Sequence, residues 1–207
     1  QMKQVFLSRN GIEIKEVPEP IVERGKILIK NLYSCVSPGT EISSLNSIKK
    51  NILKKIIEKP QVLKSLIDVL KKRGIKNTRG IVSRKLAEFY ELGYSSSGII
   101  EKVGEGVKNF SKGDLVACSG GGFASHAEKI LVPENLVVKT KRKENLSLYS
   151  TVALGSIAMH AVRRSKTSIG ETTLVVGLGF IGQITMQILR AAGVEVYGID
   201  PNDDFLK

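Results

Sequence analysis

Hydrophobic and polar positions alternate with a period of two at the start of the chain, so Lys3 to Leu7 and Ile12 to Val17 read as strands, and Lys26 to Tyr33, opening with the apolar run Ile27-Leu28-Ile29, suits a strand buried on at least one face. Asn10-Gly11 between the first two runs favours positive φ and predicts a tight hairpin, and Pro18 and Pro20 interrupt the chain before the third. From Ser47 to Leu92 the period lengthens to that of a helix, with Ile48, Ile52 and Ile56 before Pro60 and Val62, Leu66, Ile67 and Leu70 after it. Strand patterns return over Gly93 to Val103, Leu115 to Cys118, Phe123 to Val132 and Leu136 to Lys139. Short strands so often punctuated by glycine predict a compact β-barrel. Ser147 to Arg164 is expected to form one helix with Ser147 as its N-cap.

The last stretch changes period twice. Leu174 to Val176 reads as a buried strand, Phe180 to Ala192 as a helix through Ile181, Ile184, Ile188 and Leu189, and Val194 to Ile199 as a second strand ending at Asp200. Gly177, Gly179 and Gly182 stand between strand and helix at GxGxxG spacing. Each answers a steric demand: the first for a sharp turn, the second for close approach of backbone to a pyrophosphate, the third for helix-on-strand packing. The amides of Leu178, Phe180 and Ile181, with those of the glycines, then face an anion at the helix start. Asp200 falls about 20 residues on, where a carboxylate accepts both hydroxyls of an adenosine ribose and repels a 2′-phosphate. The cofactor-binding set is therefore Gly177, Leu178, Gly179, Phe180, Ile181, Gly182 and Asp200, and the expected cofactor is NAD rather than NADP. The glycines alone are weak evidence; strand, helix, second strand and terminal acid together make the case.

The composition of these 207 residues narrows the class. No apolar run approaches the ~18 residues of a membrane span and no signal peptide is visible, so a soluble cytoplasmic protein is expected. Two cysteines, Cys35 and Cys118, are too few for a disulfide framework or a cysteine zinc site. Between Lys49 and Lys85 there are 13 Lys and Arg against 2 acids, nearly all of the net charge of +12. With hardly any aromatic residue there to stack on bases, the lysines read first as solvated helical faces. Steering of an anionic cofactor or substrate comes second and a nucleic-acid surface third. Only two strands of an architecture that normally has about six are present, so the chain is expected to be a piece of a longer protein.

The stretches GKILIK, LGYSSSGIIEKVGEGVKNFSKGDLVACSGGGFASHAEKILVPENLVVK, ALGSIAMHAVRR and IGETTLVVGLGFIG together resemble the medium-chain dehydrogenase/reductase, or alcohol dehydrogenase-like, superfamily. With SPGTE and the basic insertion, the chain most resembles the amino-terminal half of bi-domain oxidoreductases. Those proteins carry a carboxy-terminal Gfo/Idh/MocA-type domain and often serve surface-polysaccharide pathways. The resemblance implies a mixed α/β fold. A GroES-like catalytic domain would span residues 1–146, with the helical insertion at about 47–92, and the linking helix and first β-α-β unit of a truncated Rossmann doubly wound sheet would span 147–207.

The departures from that pattern matter as much. Zinc enzymes of the superfamily carry a cysteine ligand before the GTE-like motif and a histidine in a G-H-E motif. Here Ser37 takes the first place, with Cys35 two residues earlier, and Tyr94 takes the second. Because tetrahedral zinc needs at least three protein ligands, neither a catalytic nor a structural zinc is expected. Thr40, where the family often has a relay hydroxyl, Glu41 beside it and Tyr94 are the catalytic candidates. The competing readings are that Thr40 caps a helix beginning at Glu41 and that Tyr94 fills the former metal space. His126 and His160 read as structural, and the Leu154-Gly155-Ser156 turn is expected to meet the cofactor.

The resulting expectation is a zinc-independent, NAD-linked oxidoreductase acting on a small alcohol or carbonyl, of a sugar or sugar nucleotide, and homo-oligomeric in its full-length form. No membrane or nucleic-acid partner is expected, and the stretch in hand, with only the adenosine half of the site, is expected to be inactive alone. The alternative is a non-catalytic nucleotide-binding or scaffolding module of a bi-domain protein.

Overall fold

The computed structural model describes residues 1–8, 11–49 and 89–206. The basic helical insertion at 47–92 therefore lies outside the described residues apart from its two ends, as does Asn10. The architecture is mixed α/β. Strands β1 (Met2–Ser8) and β2 (Gly11–Val17) pair antiparallel from Met2 opposite Val17 to Ser8 opposite Gly11, where φ is +124°. β3 (Lys26–Ser34) leads into helix α1 (Pro38–Lys49), which begins with proline at its first position, where a missing N–H costs nothing. A short strand the helical pattern had concealed, β4 (Phe89–Glu91), adds to β1 and completes a sheet of order β2-β1-β4.

The larger sheet has order β7-β3-β5-β6-β8, with β5 (Ser95–Val103), β6 (Leu115–Ser119), β7 (Lys129–Pro133) and β8 (Val137–Lys139), all antiparallel. It curls around a core of Ile27, Ile29, Ile100, Val116, Cys118, Ala124, Ile130 and Val132, with Phe110 and Phe123 packed against it. Two glycines are fixed by this curl. A Cβ on Gly98 would lie 2.1 Å from the Lys30 carbonyl oxygen, and one on Gly104 would lie 2.0 Å from that of Glu23. The strand expected over Phe123–Val132 is shorter: residues 121–128 form turns and bends, joined to the first sheet by a single bridge, Gln4 to Ala127.

Three successive serines of β5, Ser95, Ser96 and Ser97, are fully buried. Ser95 and Ser97 donate through Oγ to the carbonyls of Ser150 and Leu146, and Ser95 Oγ accepts from Ala153 N–H at 3.1 Å. These bonds pin α2 (Leu146–Tyr149) and α3 (Val152–Ser165) to the barrel, and they explain why the single helix expected from Ser147 is interrupted at Ser150-Thr151. The chain then forms β9 (Thr172–Val176), α4 (Phe180–Ala191) and β10 (Glu195–Ile199), with β9 and β10 parallel and α4 on one face. Among the described residues no helix is long and apolar enough to cross a membrane.

Candidate functional site

Two places gather polar groups that the fold holds under constraint. The first is the turn from β9 into α4. Gly177 adopts φ +91° and donates to the Ile199 carbonyl at 2.8 Å, which ties the strand ends together. A Cβ on Gly182 would lie 1.9 Å from the Gly177 carbonyl oxygen, so only glycine lets the helix sit this close to the turn. At Gly179, the N-cap of α4, the opposite holds: a Cβ would meet nothing within 4 Å. The first helical hydrogen bond from this cap is Gln183 N–H to Gly179 C=O, so the amides of Phe180, Ile181 and Gly182 precede the ladder. Leu178 packs its side chain over Gly198 and is 5% exposed, while its N–H donates to Asp200 Oδ2 at 2.7 Å. Asp200 Oδ1 accepts from Asn202 N–H at 2.8 Å. The carboxylate is thus held against the glycine turn. The open side of Gly179, the leading amides and this acid form a donor and acceptor set suited to a dinucleotide's pyrophosphate and ribose.

The second place is the barrel mouth, where β3 ends. Pairing with β5 skips Leu32: Asn31 faces Gly98, but Tyr33 faces Ser97 and Ser34 faces Ser96. This bulge shifts the alternation by one, so that Ser34 rather than Tyr33 shares the interior side with Ile29 and Asn31. Ser34 Oγ lies 2.8 Å from His126 Nδ1, and His126 Nε2 lies 3.1 Å from Glu41 Oε1. The His126 and Glu41 side chains are only 9% and 11% exposed. Glu41 also accepts from the Ser37 amide at 3.2 Å, while its own N–H makes the first helical bond of α1, to the Ser37 carbonyl at 2.9 Å. Asn31 Nδ2 grips the carbonyls on either side of His126, those of Ser125 at 3.2 Å and Ala127 at 3.1 Å. On a third side stands Gly93, where a Cβ would come within 2.7 Å of His126 N and 2.8 Å of its Nδ1.

Of the catalytic candidates, Glu41 is in this cluster and Thr40 is at its edge, exposed, with Ser37 Oγ 3.4 Å from its hydroxyl. Tyr94 directly follows Gly93 and is half-buried. The helix expected to begin at Glu41 begins at Pro38, so Thr40 is not its cap. Ser34 was invisible to sequence reasoning, and His126, read as structural, is bonded through both ring nitrogens. His160 is exposed on α3, and Leu154, Gly155 and Ser156 lie within that helix rather than in a turn. The thiol of Cys35 is pushed up by burial and then by the Glu41 charge; that of Cys118 is pushed up to about 12 by burial. Among the described residues no three His, Cys, Asp or Glu side chains converge on a metal position.

Parts of the chain are similar to known proteins. Residues 70–142 match the alcohol dehydrogenase GroES-like domain. Quinone oxidoreductase of Rattus norvegicus is 38% identical over 124 residues, covering 58% of this chain and 37% of that protein. The 2-dehydro-3-deoxy-L-galactonate 5-dehydrogenase of Pseudoalteromonas atlantica is 25% identical over 150 residues, covering 60% of this chain and 44% of that protein. Among solved structures, a mycobacterial protein complexed with NADPH superposes with a TM-score of 0.69 at 18% identity, covering 99% of this chain and 55% of that one. The chain therefore spans about half the length, or less, of the proteins it matches. The matches support the medium-chain dehydrogenase/reductase superfamily, and the fold is that of a GroES-like barrel joined to part of a Rossmann unit.

Proposed function

We propose that this chain belongs to a zinc-independent, NAD-linked oxidoreductase that interconverts an alcohol and a carbonyl, with a sugar or sugar derivative as substrate. The observation that carries the reading is the turn at Gly177–Gly182. Gly182 is forced by packing, but the space beside Gly179 is left open, and Asp200 is fixed next to it. A bound nicotinamide dinucleotide would supply the hydride acceptor or donor. The chain's own part is to hold it: amides of Phe180, Ile181 and Gly182 toward the pyrophosphate, and the Asp200 carboxylate toward the ribose, where a 2′-phosphate meets like charge. The sugar assignment takes support from the sugar-acid dehydrogenase among the relatives, and the absence of zinc from Tyr94 and Ser37 standing where the family's ligands stand.

Calorimetric titration of the intact protein with NAD and NADP tests this. The expected result is tighter binding of NAD than NADP, lost in Gly179→Val, whose side chain fills the open space. Undiminished binding in that variant would remove the reading. Dinucleotide binding without turnover of any sugar alcohol would favour the non-catalytic nucleotide-binding module instead.

A further inference from the structure

We propose that Ser34, His126 and Glu41 form a proton relay at the barrel mouth, with the Ser34 hydroxyl as its outer end and Glu41 as its anchor. The roles follow from hydrogen-bonding capacity. An ionised carboxylate only accepts, so the 3.1 Å contact of Glu41 Oε1 with His126 Nε2 requires a proton on Nε2. The neutral ring then has its lone pair on Nδ1, and the 2.8 Å contact there makes Ser34 the donor. A hydroxyl that donates to an imidazole, itself oriented by a buried acid, is a polarised hydroxyl whose oxygen can take a proton as it gives one up.

Placement argues for more than a structural pin. Three elements converge to fix one ring: the β3 bulge turns Ser34 inward, α1 brings Glu41, and Asn31 clamps the carbonyls flanking His126. Gly93 is bare where any side chain would strike the imidazole. A core histidine needs satisfied nitrogens. It does not need a donor hydroxyl on one side and a carboxylate on the other, in that order, with the hydroxyl on a residue that is itself only half-buried.

The relay rests on the oxidoreductase reading given above. A bound nicotinamide dinucleotide would take the hydride of the substrate C–H bond; the part of these residues, in the oxidising direction, is to receive the substrate O–H proton at Ser34 Oγ as the C=O bond forms. The original Ser34 proton moves to His126 Nδ1, and the imidazolium is stabilised by Glu41 until the proton leaves to solvent. Reduction runs the same transfers backwards.

Two measurements on the intact protein test it. Nitrogen-15 NMR of the histidine ring is expected to show His126 as the Nε2–H tautomer at neutral pH; an Nδ1–H tautomer overturns the relay. In steady-state assays, His126→Ala is expected to lower kcat by about 10²- to 10⁴-fold, with recovery on adding imidazole and with NAD affinity unchanged. Ser34→Ala, which leaves the ring in place, is expected to fall into the same range, so the outcome does not hang on whether the histidine variant folds. Full activity in Ser34→Ala overturns the relay while leaving the oxidoreductase reading intact. Failure of the unsubstituted protein to bind NAD overturns that reading and the relay's catalytic role with it.

Discussion

The barrel and the β9–α4–β10 unit are built from similar residues, yet they dispose of them in different ways. In the curled sheet, Ile27, Ile29, Val116 and Val132 are completely buried, and strand after strand turns its apolar side inward. In the parallel pair, only the face under α4 is covered. On the other face Leu174 stands opposite Tyr197 and Val176 opposite Ile199, with Val176 75% exposed and Tyr197 56%. An antiparallel sheet that curls around its own apolar side encloses a core, whereas a parallel pair depends on crossovers to cover each face in turn. The barrel therefore has a core in its own right, and the β9–α4 turn is held up chiefly by one helix and two glycines.

The strongest way to sharpen that contrast is a pair of glycine substitutions. Gly98→Ala drives a Cβ into the Lys30 carbonyl in the centre of the barrel sheet and is expected to cost on the order of 3–5 kcal/mol in global unfolding by denaturant titration. Gly182→Ala drives one into the Gly177 carbonyl and is expected to abolish dinucleotide binding while the main unfolding transition of the barrel stays in place. Were both variants to lower the same transition equally, the two regions would be one cooperative unit and the comparison would break. Next in size, Ile29→Ala is expected to cost about 2–5 kcal/mol, and Val176→Thr, on the open face, no more than about 0.5 kcal/mol. The smallest effect concerns the thiols. Glu41→Gln removes the negative charge that, after burial, holds the Cys35 thiol up, so its thiolate fraction at pH 8 increases and alkylation accelerates by at most about tenfold. Cys118, inside the barrel core, is expected to remain unreactive in both proteins by mass spectrometry.

The same contrast governs what was legible in the chain. Alternation showed β1 and β2, because a half-buried strand writes its two faces into the residues, and apolar runs between glycine turns showed β3, β5 and β6. Glycine spacing showed the β9–α4 turn, because backbone sterics at Gly177 and Gly182 admit little else. The cluster at the barrel mouth was not legible. Ser34 and His126 are 92 residues apart and Glu41 and His126 are 85 apart, so only tertiary pairing brings them together. Local pattern also overextended the strand before Lys129, since the residues around His126 are held by Asn31 and Leu92 rather than by a ladder. The helix after Leu146 was read as unbroken because the claim of Ser95 and Ser97 on its carbonyls comes from a distant strand.

The extra residue at Leu32 has a consequence for how such a site changes over generations. Were Leu32 instead paired, so that residues 31–34 ran as a regular ladder, Tyr33 would turn inward and the hydroxyl of position 34 outward, while every member of the cluster remained in the gene. A lineage could in this way disconnect or reconnect the imidazole by a one-residue slip of the strand end, and a column-by-column comparison of side chains would record no substitution within the cluster.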